Sequence, residues 1–136
     1  MTFVYLTAED VLAVAEQAVD DQVVVVRDAG LLESAVHLPS AALFGQEAYG
    51  DLFDKAAALL QSLTVSRPFA DGNKRTAWVS CVVFLAMNEV QLRPDLDRAE
   101  HSVVEVATGR LEDVPAIGQV LRDLIIPERR VRSGRL

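Results

Sequence analysis

Arg67, Asp71, Lys74 and Arg75 fall within one nine-residue window of the stretch Arg67-Pro68-Phe69-Ala70-Asp71-Gly72-Asn73-Lys74-Arg75-Thr76-Ala77-Trp78, which holds three of the nine basic residues before position 127. Pro68 and Gly72 interrupt a helical pattern, Asn73 can cap, and from Thr76 to Met87 the chain is almost continuously apolar. This is a loop that feeds a helix N-terminus, where unpaired N–H groups and the positive end of the dipole favour an anion. Gly72 would let backbone approach a phosphate closely, while Lys74 and Arg75 add a point charge and a planar fork. Asp71 cannot bind phosphate directly, but it can hold a magnesium ion that does. The ligand implied is a metal-bound polyphosphate, most simply a nucleotide. Read from residue types alone, the stretch serves equally well as an ordinary helix–helix turn with solvated first-turn charges. Phe69 is read chiefly as the core anchor of the loop, with a place against the nucleotide as its other use.

The order and spacing of Phe69, Asp71, Gly72, Asn73, Lys74 and Arg75 resemble the signature of the Fic/Doc family, which runs His, any residue, Phe, any, Asp or Glu, Gly or Ala, Asn, Lys or Gly, Arg. The flanks Arg27–Ala35, Leu52–Ala57 and Ala107–Gly109 resemble the Doc (death-on-curing) branch, and the likeness spans about Phe3 to Asp123. AMP-transferring Fic enzymes resemble one another in having a glycine where this chain has Lys74 and a second arginine where it has Trp78. The resemblance therefore implies ATP-dependent transfer of the terminal phosphoryl group to a threonine of elongation factor Tu, which blocks translation. In that reading Arg67 occupies the base position, and Asp71 holds Mg2+. Backbone N–H groups at Gly72 and Asn73 cradle phosphate with the Asn73 side chain as a further donor, and Lys74 and Arg75 neutralise charge on the transferred group.

One position departs from the pattern. The family histidine, the general base, is replaced by Arg67. A guanidinium stays protonated and has no free acceptor lone pair, so transfer should be poor or absent. Three explanations compete: a disabling change introduced or selected so that a toxic chain could be expressed, a natural inactive relative, or a base displaced elsewhere. The intact remainder of the motif favours the first. His37 and His101 are the available histidines and are read as surface or helix-end residues. Two other classes stay open beside a Doc-type kinase: an AMP-transferring Fic enzyme, and a partner-binding relative without chemistry. Many Fic proteins restrain themselves through a helix with a glutamate followed by Gly or Asn. No glutamate here is so followed, so the resemblance implies restraint by a Phd-type antitoxin whose C-terminal segment folds as a helix into a groove.

The positioning scaffold is expected to be all-α, a compact single-domain bundle of about six helices spanning residues 1–126. A chain of 136 residues, 51% hydrophobic and 6% aromatic, should build its core from Val, Leu and Ala. Phe3 to Leu6 could form a short strand. Thr7 and Asp10 frame a capping box for a helix over Ala8 to Val19, and Val23 to Val26 reads as extended. Asp28 caps a short helix to about Leu38, stopped by Pro39, and Ser40 to Gly50 has no clean period. In the family the corresponding region helps to shape the protein-substrate groove; from the residues alone it is equally a packed connector. Asp51 opens a helix with Leu52, Ala56, Leu59, Leu60 and Leu63 in one stripe, which Ser66 ends. The helix from Asn73 should run through the centre, closed by Asn88 and Pro94. Asp97 with Glu100 reads as a second capping box before a Gly109 stop, and a last helix covers Glu112 to Leu124.

The last ten residues hold four arginines and one glutamate, a net of +3, which leaves −10 on the rest of a chain of formal charge −7. That tail, residues 127–136, should be disordered. An acidic body argues against direct nucleic-acid binding and makes the basic cluster at 67–75 stand out. The single cysteine, Cys81, lies in the most apolar run, as a reduced buried thiol of a cytoplasmic protein would. With no leader and no apolar run of spanning length, the chain is expected to be neither secreted nor inserted in a membrane.

Overall fold

The computed structural model describes residues 2–18, 23–92 and 96–125. Among them six α-helices account for nearly all regular structure: α1 (Ala8–Ala18), α2 (Ala29–His37), α3 (Leu52–Ser66), α4 (Asn73–Met87), α5 (Leu96–Ala107) and α6 (Val114–Asp123). The all-α expectation holds. A 3-10 turn, Leu38–Ser40, and a two-stranded hairpin, β1 (Ala42–Leu43) and β2 (Gln46–Glu47), fill the connection between α2 and α3. The expected ends at Val19 and Pro94, and the tail 127–136, lie outside the described residues.

Side-chain caps fix most helix starts. Thr7 Oγ1 accepts from Asp10 N at 3.1 Å while Asp10 Oδ2 accepts from Thr7 N at 2.9 Å, a reciprocal capping box for α1. Asp28 accepts from Leu31 N, Asp51 from Phe53 N and Asp113 from Ala116 N. Two expectations fail here. Asp97 does not cap α5, which already begins at Leu96 and leaves Asp97 in its first turn. Phe3 to Leu6 is extended but no strand: Asn88 takes the neighbour's part, its Oδ1 accepting from Val4 N and its Nδ2 donating to Val4 O, each at 2.9 Å. The strands sit instead in the hairpin, paired Ala42 to Glu47 and Leu43 to Gln46, with both turn residues at positive φ, Phe44 at 52° and Gly45 at 77°.

The core is built around α3 rather than α4. Every residue from Lys55 to Leu60 is buried, and α3 packs on α4, α6, α2, α5 and the 3-10 turn. Small side chains explain this, since Ala56, Ala57 and Ala58 admit neighbours on all sides. The closest approach is by α6: a Cβ on Gly118 would lie 2.7 Å from Asp54 Oδ1 and 3.4 Å from the Phe53 carbonyl. Across the same seam the Arg122 guanidinium lies over the Phe53 ring at 5.0 Å and pairs with Asp51. Helix α4 is flanked by α3, α1 and α5, buries Ala77, Cys81, Phe84 and Leu85, and leaves Ala86 and Met87 exposed.

Candidate active site

The segment between α3 and α4 is a loop fixed on three sides. Helix α3 ends at Arg67, whose backbone is left-handed at φ 53°. Antiparallel to the loop runs Val23 to Val26, extended as expected, with an isolated bridge between Val26 and Phe69. Arg27 N and Asp28 N both donate to Pro68 O, at 2.7 and 3.1 Å, and Ala70 N donates to Val25 O at 2.9 Å. From below, Phe69 inserts into the core at 2% exposure. That burial excludes Phe69 as a stacking platform for a nucleotide and leaves it the anchor of the loop.

Asn73 provides the third constraint. Its Oδ1 accepts from Phe69 N at 2.9 Å and its Nδ2 donates to Phe69 O at 2.8 Å, while its side chain is buried. Asn73 is therefore not the cap of α4. Gly72 is, at φ 77°, in a left-handed conformation that glycine adopts without strain. The Asn73 amide, expected as a further phosphate donor, is instead committed to the loop. What the loop presents outward is the backbone: α4's first internal bond runs from Thr76 N to Gly72 O, so the N–H groups of Asn73, Lys74 and Arg75 stand at the open end of the helix.

Around that end lie the charged side chains. Asp71 is exposed and oriented by its own backbone, with Oδ1 accepting from Gly72 N at 2.9 Å. Lys74 and Arg67 are exposed. Arg75 is also exposed, yet one of its terminal nitrogens donates to Ala18 O at 2.8 Å, at the C-terminus of α1. It thus ties two helices together with one of its five N–H donors. Asp71, Lys74 and Arg75 are brought together by the start of α4, and Arg67 stands across the loop at the end of α3. Among the described residues no group of three or more His, Cys, Asp or Glu side chains could hold a metal ion. What the site offers a magnesium ion is the single exposed carboxylate of Asp71, enough only for an ion that took its other ligands from phosphate and water. His37 and His101 lie on the surface, each 3.6 Å from a glutamate one turn along its own helix.

Sequence reading missed two residues. Arg27 crosses to the loop, its Nε donating to Arg67 O and a terminal nitrogen to Ser66 O, both at 2.8 Å. Nothing local marks it, because its partners lie some forty positions away. Lys55 is fully buried, bonded to Pro39 O at 3.0 Å and to Glu47 Oε1 at 2.7 Å, with the Phe3 and Tyr5 rings 5.3 and 5.5 Å from its nitrogen. Here a signal existed: Lys55 lies three residues after Leu52 and four before Leu59, on the apolar stripe itself. Its ammonium is pulled down by burial but held above lysine's ordinary range by the Glu47 contact and by Tyr5. Cys81 is buried and free, and burial pushes its thiol up to about 12.

The Fic/DOC family matches residues 5–85, a span that runs from before α1 through the loop to the buried part of α4. The chain belongs to the Fic/Doc family. It is 51% identical over 106 residues to Toxin Doc of Mycolicibacterium smegmatis (strain ATCC 700084 / mc(2)155), an alignment covering 76% of this chain and 81% of that protein. Among the described residues no helix is long and apolar enough to cross a membrane.

Proposed function

We propose that this chain is the toxin of a Phd/Doc-type toxin–antitoxin pair, an ATP-dependent phosphotransferase of the cytoplasm directed at a threonine of elongation factor Tu. The observation that carries the reading is the open N-terminus of α4. A glycine cap, three leading N–H groups, two cations and one carboxylate converge there, on a loop held rigid by Phe69 and Asn73. Such an end takes an anion. The relative named Toxin Doc and the motif from Phe69 to Arg75 support ATP as that anion and a protein hydroxyl as acceptor.

In this reaction the terminal phosphoryl passes from ATP to the threonine oxygen, ADP leaves, and the hydroxyl proton goes to a base. Magnesium, when bound, would neutralise phosphate charge, with Asp71 as its protein ligand. Lys74 and the uncommitted donors of Arg75 meet the charge on the transferred group, and the helix N–H groups orient it. The proton is the unsolved part. Arg67 stands where the family keeps its base and cannot accept a proton, a loss of about two to four powers of ten in rate. The chain as it stands would bind nucleotide and transfer poorly, with an antitoxin of the Phd type as partner for the restored activity.

The test is Arg67→His, assayed on purified elongation factor Tu with ATP and magnesium by intact mass. Addition of one phosphoryl group is expected. Addition of AMP would instead assign the chain to the AMP-transferring enzymes. Absence of both, with nucleotide still bound, would make it a partner-binding relative.

A further inference from the structure

Position 67 differs from the rest of the loop in how it is held. Arg67 has no bridge partner of its own; its backbone is left-handed, φ 53° and ψ 62°, a conformation uncommon for a residue with a side chain. Its carbonyl, that of Ser66 before it and that of Pro68 after it all accept from Arg27, with Asp28 N as a second donor to Pro68 O. Arg27 Nε donates to Arg67 O, its terminal nitrogen to Ser66 O, and its backbone N to Pro68 O. The end of a helix leaves carbonyls unpaired and carries the negative end of the dipole, so a planar cation that spans neighbouring carbonyls suits it geometrically and electrostatically. Arg27 is itself placed by the strand-like run before it and by Asp28, which caps α2. The fork therefore joins the ends of two helices at the residue from which a base would project.

We infer that Arg27 is a positioning residue for position 67: its guanidinium fixes the left-handed backbone at the end of α3 and so sets the direction of the side chain there. In the phosphotransfer reaction proposed above, on which the catalytic part rests, that direction is what brings a base within reach of the target hydroxyl. Arg27 touches neither nucleotide nor acceptor; it acts through the residue at 67.

The test uses Arg27→Met, which keeps the stem and removes the fork, and Arg27→Lys, which keeps the charge at the helix end without two diverging donors. In the native-sequence chain, backbone carbon shifts at position 67 should lose their left-handed signature in Arg27→Met. In the Arg67→His background kcat should fall by about tenfold to a hundredfold in both variants, while KM for ATP moves less than about twofold. Arg27→Lys should stay close to its parent in Tm, which separates aim from stability should Arg27→Met fold poorly. A retained left-handed signature, or an unchanged kcat in a restored enzyme, overturns the inference. An inactive Arg67→His parent would instead refute the phosphotransfer reading, and the shifts at position 67 would still decide the role of Arg27.

Discussion

Lys55 gives the sharpest quantitative expectation, because its environment is asymmetric. The ammonium is fully buried and bonded to the Pro39 carbonyl and to Glu47, whose own side chain is half exposed. Replacing Lys55 by Met keeps the stem, so no large cavity opens, but leaves the buried Pro39 carbonyl without its donor, a cost of about 1–3 kcal/mol. Losing the ion pair adds about 0–1 kcal/mol, since water screens Glu47 and can solvate it once alone. The two ring contacts add about 0.5–1 kcal/mol each, and release from burying a charge works against all of these, which leaves a net loss of about 2 kcal/mol. Glu47→Gln keeps an acceptor oxygen and removes the screened charge, and should cost less than about 1 kcal/mol. Urea unfolding with a common slope reads both values. Amide exchange adds a local measure: Ala48 N, bonded to Ala41 O at 2.9 Å across the base of the hairpin, should exchange faster in Lys55→Met. Equal losses for the two variants, or a Lys55→Met loss below about 0.5 kcal/mol, would refute the idea that Pro39 rather than Glu47 sets the energetics.

Two further expectations concern the site and the core. Lys74→Ala and Arg75→Ala should each weaken ATP binding about tenfold by calorimetry even with Arg67 in place, and only Arg75→Ala, which frees the Ala18 carbonyl, should also lower Tm; unchanged affinity in both would remove the anion site. Stability should fall on the alkaline side. The folded-state values of Lys55 and Cys81 both lie above their ordinary 10.5 and 9.0, so their contributions are complete below those values and are lost as pH rises through the folded ones. Thermal scans at pH 8, 10 and 11 should show Tm dropping, less so in Cys81→Ala between the first two; a flat profile would contradict the burial of both groups.

What the sequence made legible was local. Thr7 with Asp10, Asp28 and Asp51 announce helix starts because a cap acts within a few residues, and Gly109, at φ 81°, ends α5 as a glycine stop should. The motif likewise lies within one loop and placed Asp71, Lys74 and Arg75 together without a structure. The misreadings share a cause, competition from distant partners. Asn73 looked like a cap and a ligand donor until the Phe69 backbone claimed it. Asn88 looked like a helix end, which it is, but its amide also stands in for a strand beside Val4, where a strand had been expected. Arg75 looked free until the end of α1 was set beside it, a contact no periodicity encodes.

The same separation of local from distant roles bears on the substitution at position 67. At Phe69 and Asn73 the side chain is itself scaffold, so a change there would strand the buried Phe69 backbone or empty part of the core. At position 67 the backbone performs the structural work, through a carbonyl received by Arg27 and a left-handed turn out of α3, while the side chain projects into solvent. Chemistry and architecture are therefore carried by different atoms of one residue. An arginine in place of a histidine there removes a proton acceptor and leaves intact the bond that position 67 makes through its main-chain carbonyl. Position 67, like the exposed Lys74, is thus a motif position whose side chain can change at little cost to the fold, and an intact cradle without a base would be compatible with a stable chain.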